Sequence, residues 1–111
     1  MSCTQRFRNL VFTVNNYTEE DFNHLLHHQM FKYVIIGKEI SESGTPHLQG
    51  YAELKKQIAF STVKKEIHST MHFERRDGSQ KEAISYCKKD NNWTENGETR
   101  IEGERIDLPK I

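Results

Sequence analysis

Residues 7–15 alternate, with Leu10, Phe12 and Val14 on one face and Asn9, Thr13 and Asn15 on the other, which predicts a half-buried first strand. Thr18 followed by Asp21 resembles a capping box with Asp in place of Glu. Phe22, Leu25, Leu26 and Met30 then recur at helical spacing, so a helix is predicted over about residues 19–29. The apolar run from Tyr33 to Ile36, bounded by Gly37, predicts a central strand leading out to Glu39. Ser41 to Pro46 has the composition of a turn, and a returning strand follows. In that strand Leu48, Ala52 and Leu54 point one way and His47, Gln49, Tyr51 and Glu53 the other, so one face packs and the other is polar.

Phe60, Val63 and Ile67 predict a short second helix, and Met71 to Arg75 a fourth strand. Ser79 and Glu82 form a Ser-x-x-Glu capping box, which starts a third helix near Gln80 with Ala83, Ile84 and Cys87 on its apolar arc. That helix is expected to end around Asn91. Asn96-Gly97 marks a tight turn in a short final hairpin or edge strand. The tail from Arg100 is charged, contains Pro109 and lacks helical periodicity, so residues 100–111 read as a linker stub after a domain covering 1–99. The order of elements predicts an α+β domain: a central antiparallel sheet of about five strands with packed helices, ferredoxin-like in character.

With 111 residues the chain has room for one hydrophobic core. Lysine plus arginine equal aspartate plus glutamate at 16 each, so any nucleic-acid site must be a local patch. Cys3 and Cys87 lack the number and spacing of a disulfide framework or zinc knuckle; they read as ordinary thiols in a reducing compartment. No apolar stretch approaches bilayer length, and Arg6 and Arg8 precede no signal-type apolar core, so a soluble intracellular protein is expected, with no membrane partner.

His47 and Gln49 lie two apart on a strand and project from one face, where an imidazole nitrogen and an amide oxygen can reach one cation. If the hairpin around residues 41–46 pairs, Glu39 comes to that face with a negative charge. An O, O, N donor set without thiolate favours Mg²⁺ or Mn²⁺ over structural zinc. Taken alone, such a face is more often simply solvated. Tyr86 and Lys89 stand three apart on the third helix and share a face flanking its apolar arc. A phenol with a pKa of about 10 is a weak nucleophile near neutrality, so nearby positive charge is needed. A phenol is also a better leaving group than a sugar hydroxyl, which makes strand cleavage by tyrosine reversible.

Phe12-Thr13-Val14-Asn15-Asn16, Pro46-His47-Leu48-Gln49-Gly50 and Tyr86-Cys87-Lys88-Lys89 occur in the order of the three motifs of the HUH-superfamily replication initiators (Rep), and over residues 9–99 the chain resembles those of circoviruses and nanoviruses. The resemblance implies an HUH endonuclease fold and a rolling-circle initiator domain that nicks and rejoins single-stranded origin DNA through a covalent 5′-phosphotyrosine. In it Tyr86 is the nucleophile, Lys89 assists electrostatically, and Glu39, His47 and Gln49 hold Mg²⁺ or Mn²⁺. Gln49 stands where the superfamily's second histidine would be, a departure shared by the eukaryotic viral branch that removes a nitrogen ligand. The single tyrosine implies a free 3′-hydroxyl on the other strand end.

The partner implied is single-stranded DNA, usually an origin hairpin loop, contacted by Thr13, Asn15 and Asn16, with Arg6 and Arg8 on phosphates. His72, near Glu74, could also face the cleft; His24, His27, His28 and His68 are assigned no role. The isolated domain is expected to be monomeric, its full-length parent oligomeric, and the setting a host cell nucleus. A helicase phosphate loop, Gly-x-x-x-x-Gly-Lys-Ser/Thr, does not occur in these residues, so an excised nicking domain is expected. The competing readings are a noncatalytic single-stranded nucleic-acid-binding module of RRM-like shape, and an interaction domain that uses the same surface for protein contacts. The base-stacking aromatics of an RRM are not evident, since Phe12 has apolar parity, although Tyr51 shares the polar face.

Overall fold

A computed structural model of the chain describes residues 6–76 and 78–99. Cys3 and the proposed linker at 100–111 lie outside the described residues. The elements follow the predicted order: β1 (Arg6–Asn15), α1 (Glu19–Leu26), β2 (Phe31–Ile40), β3 (Pro46–Ala59), α2 (Phe60–Thr62) continuing as a π turn (Val63–Ile67), β4 (His72–Arg75), α3 (Gln80–Cys87) and β5 (Trp93–Gly97). All strand pairs are antiparallel, in the order β4-β1-β3-β2-β5. The first four strands make the split β-α-β pattern of a ferredoxin-like α+β sheet, and β5 extends its edge beside β2.

Both capping boxes form. Thr18 Oγ1 accepts from the Asp21 backbone while Asp21 reaches back to Thr18 N, and Ser79 and Glu82 do the same at α3. α1 is shorter than its periodicity predicts. His27 caps it, and the chain turns so that Phe31 N bonds His28 O and Met30 N bonds His28 Nδ1; Met30 packs on the core from the turn. The second helix is mostly a π turn, closed by His68 N donating to Val63 O, which brings Val63 and Ile67 both into the core. α3 also stops early, at a cap on Lys88, and Asn91 lies in the loop with a φ of 58°.

One core lies under α1 and the π turn, where Leu10, Phe12, Val14, Leu48, Ala52 and Leu54 meet Phe22, Leu25, Val63 and Ile67. α3 packs on the opposite sheet face, and there Tyr33, Ile35 and Tyr51 meet Ile84 and Cys87 in a second cluster. That second layer corrects the expectation of a polar outer face on β3: Tyr51 and Glu53 are buried beneath α3. The Tyr51 hydroxyl donates to Glu53 Oε2 at 2.6 Å, as does Gln80 Nε2 from the first turn of α3, also at 2.6 Å. A buried carboxylate is tolerable only with such donors, and these tie the start of the helix to the sheet.

One further correction concerns a strand end. β2 leads out through Gly37 past Glu39 as expected, and the expected edge strand forms as β5, but Asn96-Gly97 is the end of that strand, paired with Val34 and Tyr33, and not a tight turn. The alternation in β1 breaks between Phe7 and Asn9, where the register with β3 shifts, so Phe7 joins the same core as Leu10.

Candidate active site

Register brings the first two motifs and Glu39 onto one sheet face, and the packing of α3 on that face adds the third. Asn15 pairs with His47 and His47 with Glu39; one step along, His72 pairs with Thr13, Thr13 with Gln49, and Gln49 with Gly37. Directly opposed residues of neighbouring strands point to the same side, so Glu39, His47, Gln49, Thr13 and Asn15 share the face on which α3 lies. His72 is on it too, but its side chain is 73% exposed and bonded only to neighbouring Glu74 at 3.4 Å.

Glycines explain how the layers meet so closely. A Cβ on Gly37 would stand 2.2 Å from the Cys87 carbonyl oxygen, so the last turn of α3 rests directly on the backbone of β2. On the other face, a Cβ on Gly50 would overlap the Phe12 ring, which joins the first motif to the second by packing. Gly37 was read only as the boundary of an apolar run; a glycine inside a strand is the signal of close approach that would have found it.

At the end of α3 the side chains converge. His47 Nε2 lies 2.9 Å from Glu39 Oε1, and Lys89 Nζ lies 3.1 Å from that same oxygen. Lys89 Nζ also sits 4.4 Å from the centroid of the Tyr86 ring. The hydrogen bond that Lys89 donates to the Glu39 carboxylate, opposed by partial burial and reinforced by the Glu39 and Tyr86 charges, holds the ammonium above the usual lysine range, so the cation is secured at any physiological pH. Tyr86 is 52% exposed, whereas the Glu39 side chain is only 3% exposed. A buried carboxylate thus anchors a cation that lies against an accessible phenol. Beside Tyr86 in sequence, burial pushes the Cys87 thiol up to about 12, leaving it inert.

The donor set suits a hard or borderline divalent ion. Glu39 Oε2 is buried without a hydrogen-bond partner, which is costly for a carboxylate and leaves a lone pair for a cation. Gln49 Oε1 accepts from Thr13 Oγ1 at 3.3 Å, which orients the amide oxygen. Among the described residues no group of three or more His, Cys, Asp or Glu is placed to hold a metal. Any three-donor set built on Glu39 and His47 would have to draw its third donor from another side chain such as the Gln49 amide.

The predicted DNA contacts divide into two groups. Thr13 and Asn15 belong to the site rows, and Asn16 is exposed beside them in a left-handed conformation, its N–H donating to Pro46 O at 2.8 Å. Arg6 and Arg8 lie toward the start of β1, roughly 15–30 Å along the strand from Thr13 and Asn15, where with Gln57, Arg75 and Arg76 they line a shallow hollow. An RRM-like use of the sheet loses its support: Phe12 is buried in the core, and Tyr51 lies under α3 with its hydroxyl bonded to Glu53. Trp93 and Lys88 were passed over by sequence reasoning; the chain's single tryptophan beside a basic motif was the available signal.

Residues 7–90 match the family model described as "Putative viral replication protein". The chain is 38% identical to the replication-associated protein of Human associated cyclovirus 1 over 109 residues, 94% of this chain and 38% of the relative. It is 36% identical to that of Porcine circovirus 2 over 108 residues, 94% of this chain and 34% of the relative. To the master replication protein of Milk vetch dwarf virus it is 38% identical over 92 residues, 83% of this chain and 28% of the relative. The chain spans roughly a third of the length of these curated relatives. A family match across all three motifs, on a five-stranded sheet that gathers them beside α3, means that the chain belongs to the viral replication proteins, as a Rep domain of the circovirus and nanovirus type.

Proposed function

We propose that this domain initiates rolling-circle replication by nicking single-stranded origin DNA with Tyr86, which remains covalently attached to the 5′ end. The observation that carries the reading is Lys89, whose ammonium touches both the Tyr86 ring and the Glu39 carboxylate beside His47. Lys89 thus links the proposed nucleophile's ring to the Glu39 carboxylate, which His47 also contacts.

In the proposed step the phenolic oxygen of Tyr86 attacks phosphorus in line with the 3′ oxygen. The phenol proton is lost, the O–P bond forms, the P–O3′ bond breaks, and the departing 3′ oxygen takes up a proton to become a free hydroxyl. Lys89 stabilises the phenolate and the charge that builds on the phosphoryl oxygens. Glu39, His47 and Gln49 would hold Mg²⁺ or Mn²⁺, which supplies charge neutralisation at the phosphate. Thr13 orients Gln49, and Glu39 anchors Lys89. Because the phosphotyrosine bond keeps the energy of the phosphodiester, the 3′-hydroxyl can reverse the reaction and rejoin the strand. Exposed Asn15 and Asn16 border the strand's path, with Arg6 and Arg8 as distant phosphate contacts. A host nucleus is the proposed setting, and oligomerisation is proposed for a longer parent.

The test is to incubate the chain with single-stranded DNA carrying candidate origin loops and Mn²⁺, then look for an adduct that survives denaturation. EDTA should abolish the adduct, and Tyr86→Phe should abolish it while retaining DNA binding. Cleavage that persists in Tyr86→Phe would overturn the nucleophile assignment.

A further inference from the structure

Almost every aromatic ring in the described residues is committed to the interior. Phe7, Phe12, Phe22, Phe31 and Phe73 are buried in the main core, and Tyr33 and Tyr51 lie in the second cluster with their hydroxyls bonded to Glu95 and Glu53. Phe60 is partly exposed, yet its ring packs on Phe7 and Phe73. On the α3 side of the sheet two aromatics remain open, Tyr86 at 52% exposure and Trp93 at 36%, and neither belongs to a core cluster.

Their placement is related. Trp93 opens β5 opposite Gly37, and the Cys87 carbonyl rests on Gly37, so Trp93 flanks the last turn of α3 on the side away from His47 and Gln49. From that turn Lys89 lies over the Tyr86 ring and Lys88 over the Trp93 ring, each ammonium 4.4 Å from the centroid. Two adjacent lysines thus bridge two accessible rings. Exposed aromatics interleaved with cations are what a flexible polyanion with flat bases requires: stacking for the base, charge for the phosphate.

We infer that Trp93 is a stacking platform for a base of the bound single strand next to the phosphate presented to Tyr86, with Lys88 neutralising that nucleotide's backbone. The inference rests on the proposed function and adds to it a nucleotide-binding position on β5, outside the three motifs. Stacking of this kind is tolerant of sequence, because every base has a π-face; Trp93 grips and orients the strand and does not read it.

Trp93 is the chain's only tryptophan, so its emission reports on this position alone. Tyr86→Phe protein, which cannot cleave, is titrated in Mg²⁺ with a single strand of about 16 nucleotides, binding being followed in parallel by anisotropy of a labelled strand. Tryptophan emission should be quenched at saturation, and a strand of equal length with abasic positions should bind without that quench. Trp93→Phe should bind nearly as well as the parent, whereas Trp93→Leu, equally apolar but unable to stack, should bind about 5- to 150-fold more weakly. Undiminished emission at saturation, or equal affinities of the Phe and Leu variants, would overturn the platform while leaving the nicking proposal intact. Absence of any anisotropy change would overturn both.

Discussion

Lys89 is the residue through which the site's chemistry is connected. Its ammonium bonds a carboxylate that is almost wholly buried, so for the proposed reaction the cation would be preorganised and need not be recruited. Removing one such preorganised group costs about 10²–10³ in rate where it has been measured in enzymes, so Lys89→Met should slow adduct formation by about 10²-fold. Single-strand affinity measured by anisotropy should change much less. A comparable loss of both would make Lys89 a binding residue only. Glu39 is expected to matter twice, as anchor for Lys89 and as the charged metal donor. Glu39→Gln should weaken Mn²⁺ binding in calorimetry by at least about tenfold while Thr13→Ala, which only frees the Gln49 amide, has a smaller effect. Cys87 sits between Tyr86 and Lys88 but is buried, with its thiol held near 12. Alkylation followed by peptide mapping should leave Cys87 unmodified at neutral pH until the chain is unfolded.

At the scale of elements, the contact that matters most is α3 on β2. Gly37→Ala would set a methyl group where the Cys87 carbonyl now lies, and backbone on both sides leaves little room to yield. Overpacking of this kind costs about 1–3 kcal/mol and must shift the turn that carries Lys88 and Lys89. Urea denaturation should show that loss, and nicking should fall more than stability alone accounts for. On the other face, imidazoles clip α1 to the π turn: His24 Nε2 lies 2.6 Å from Ile67 O, His28 Nε2 lies 3.1 Å from Glu66 O, and His68 Nε2 lies 3.1 Å from Asp21 Oδ1. Burial first, and the neighbouring His24 charge as well, lowers the His28 pKa below the ordinary imidazole value of about 6.5 against the opposing pull of the Glu66 carbonyl. The folded protein therefore favours neutral His28, and the unfolded chain binds more protons once pH drops below about 6.5. The His28 contribution is complete above that pH and is lost as pH falls toward the folded value. Thermal unfolding between about pH 7 and 5 should show a steeper decline for the parent than for His28→Gln.

Across the whole molecule, opposite charges balance at 16 each, so the proposed attraction to DNA would come from separated patches. One is the lysine turn beside Tyr86; another is the arginine hollow at the start of β1. If a strand follows the sheet between them, each phosphate contact contributes about 0.7 to the slope of log affinity against log salt. Replacing both Arg6 and Arg8 by alanine should reduce that slope by about 1.4, with little effect on the rate of adduct formation at saturating DNA. An unchanged slope would confine the strand to the Tyr86 end.

The amino-acid order alone determined whatever local interactions could encode. The alternation in Leu10, Phe12 and Val14, the reciprocal caps at Thr18–Asp21 and Ser79–Glu82, and the hairpin opposing Glu39 and His47 all depend on residues close in the chain, and all are present in the fold. Helix ends were less legible, because α1 and α3 stop where His27 and Lys88 cap them and not where apolar spacing runs out. Only the tertiary structure decided which sheet face α3 covers, that Tyr51 and Glu53 lie beneath it, and that β5 joins β2 with Trp93 beside the end of the helix. Those outcomes depend on packing between segments tens of residues apart, where a missing side chain at Gly37 and a carbonyl at Cys87 fit together only after the chain has folded.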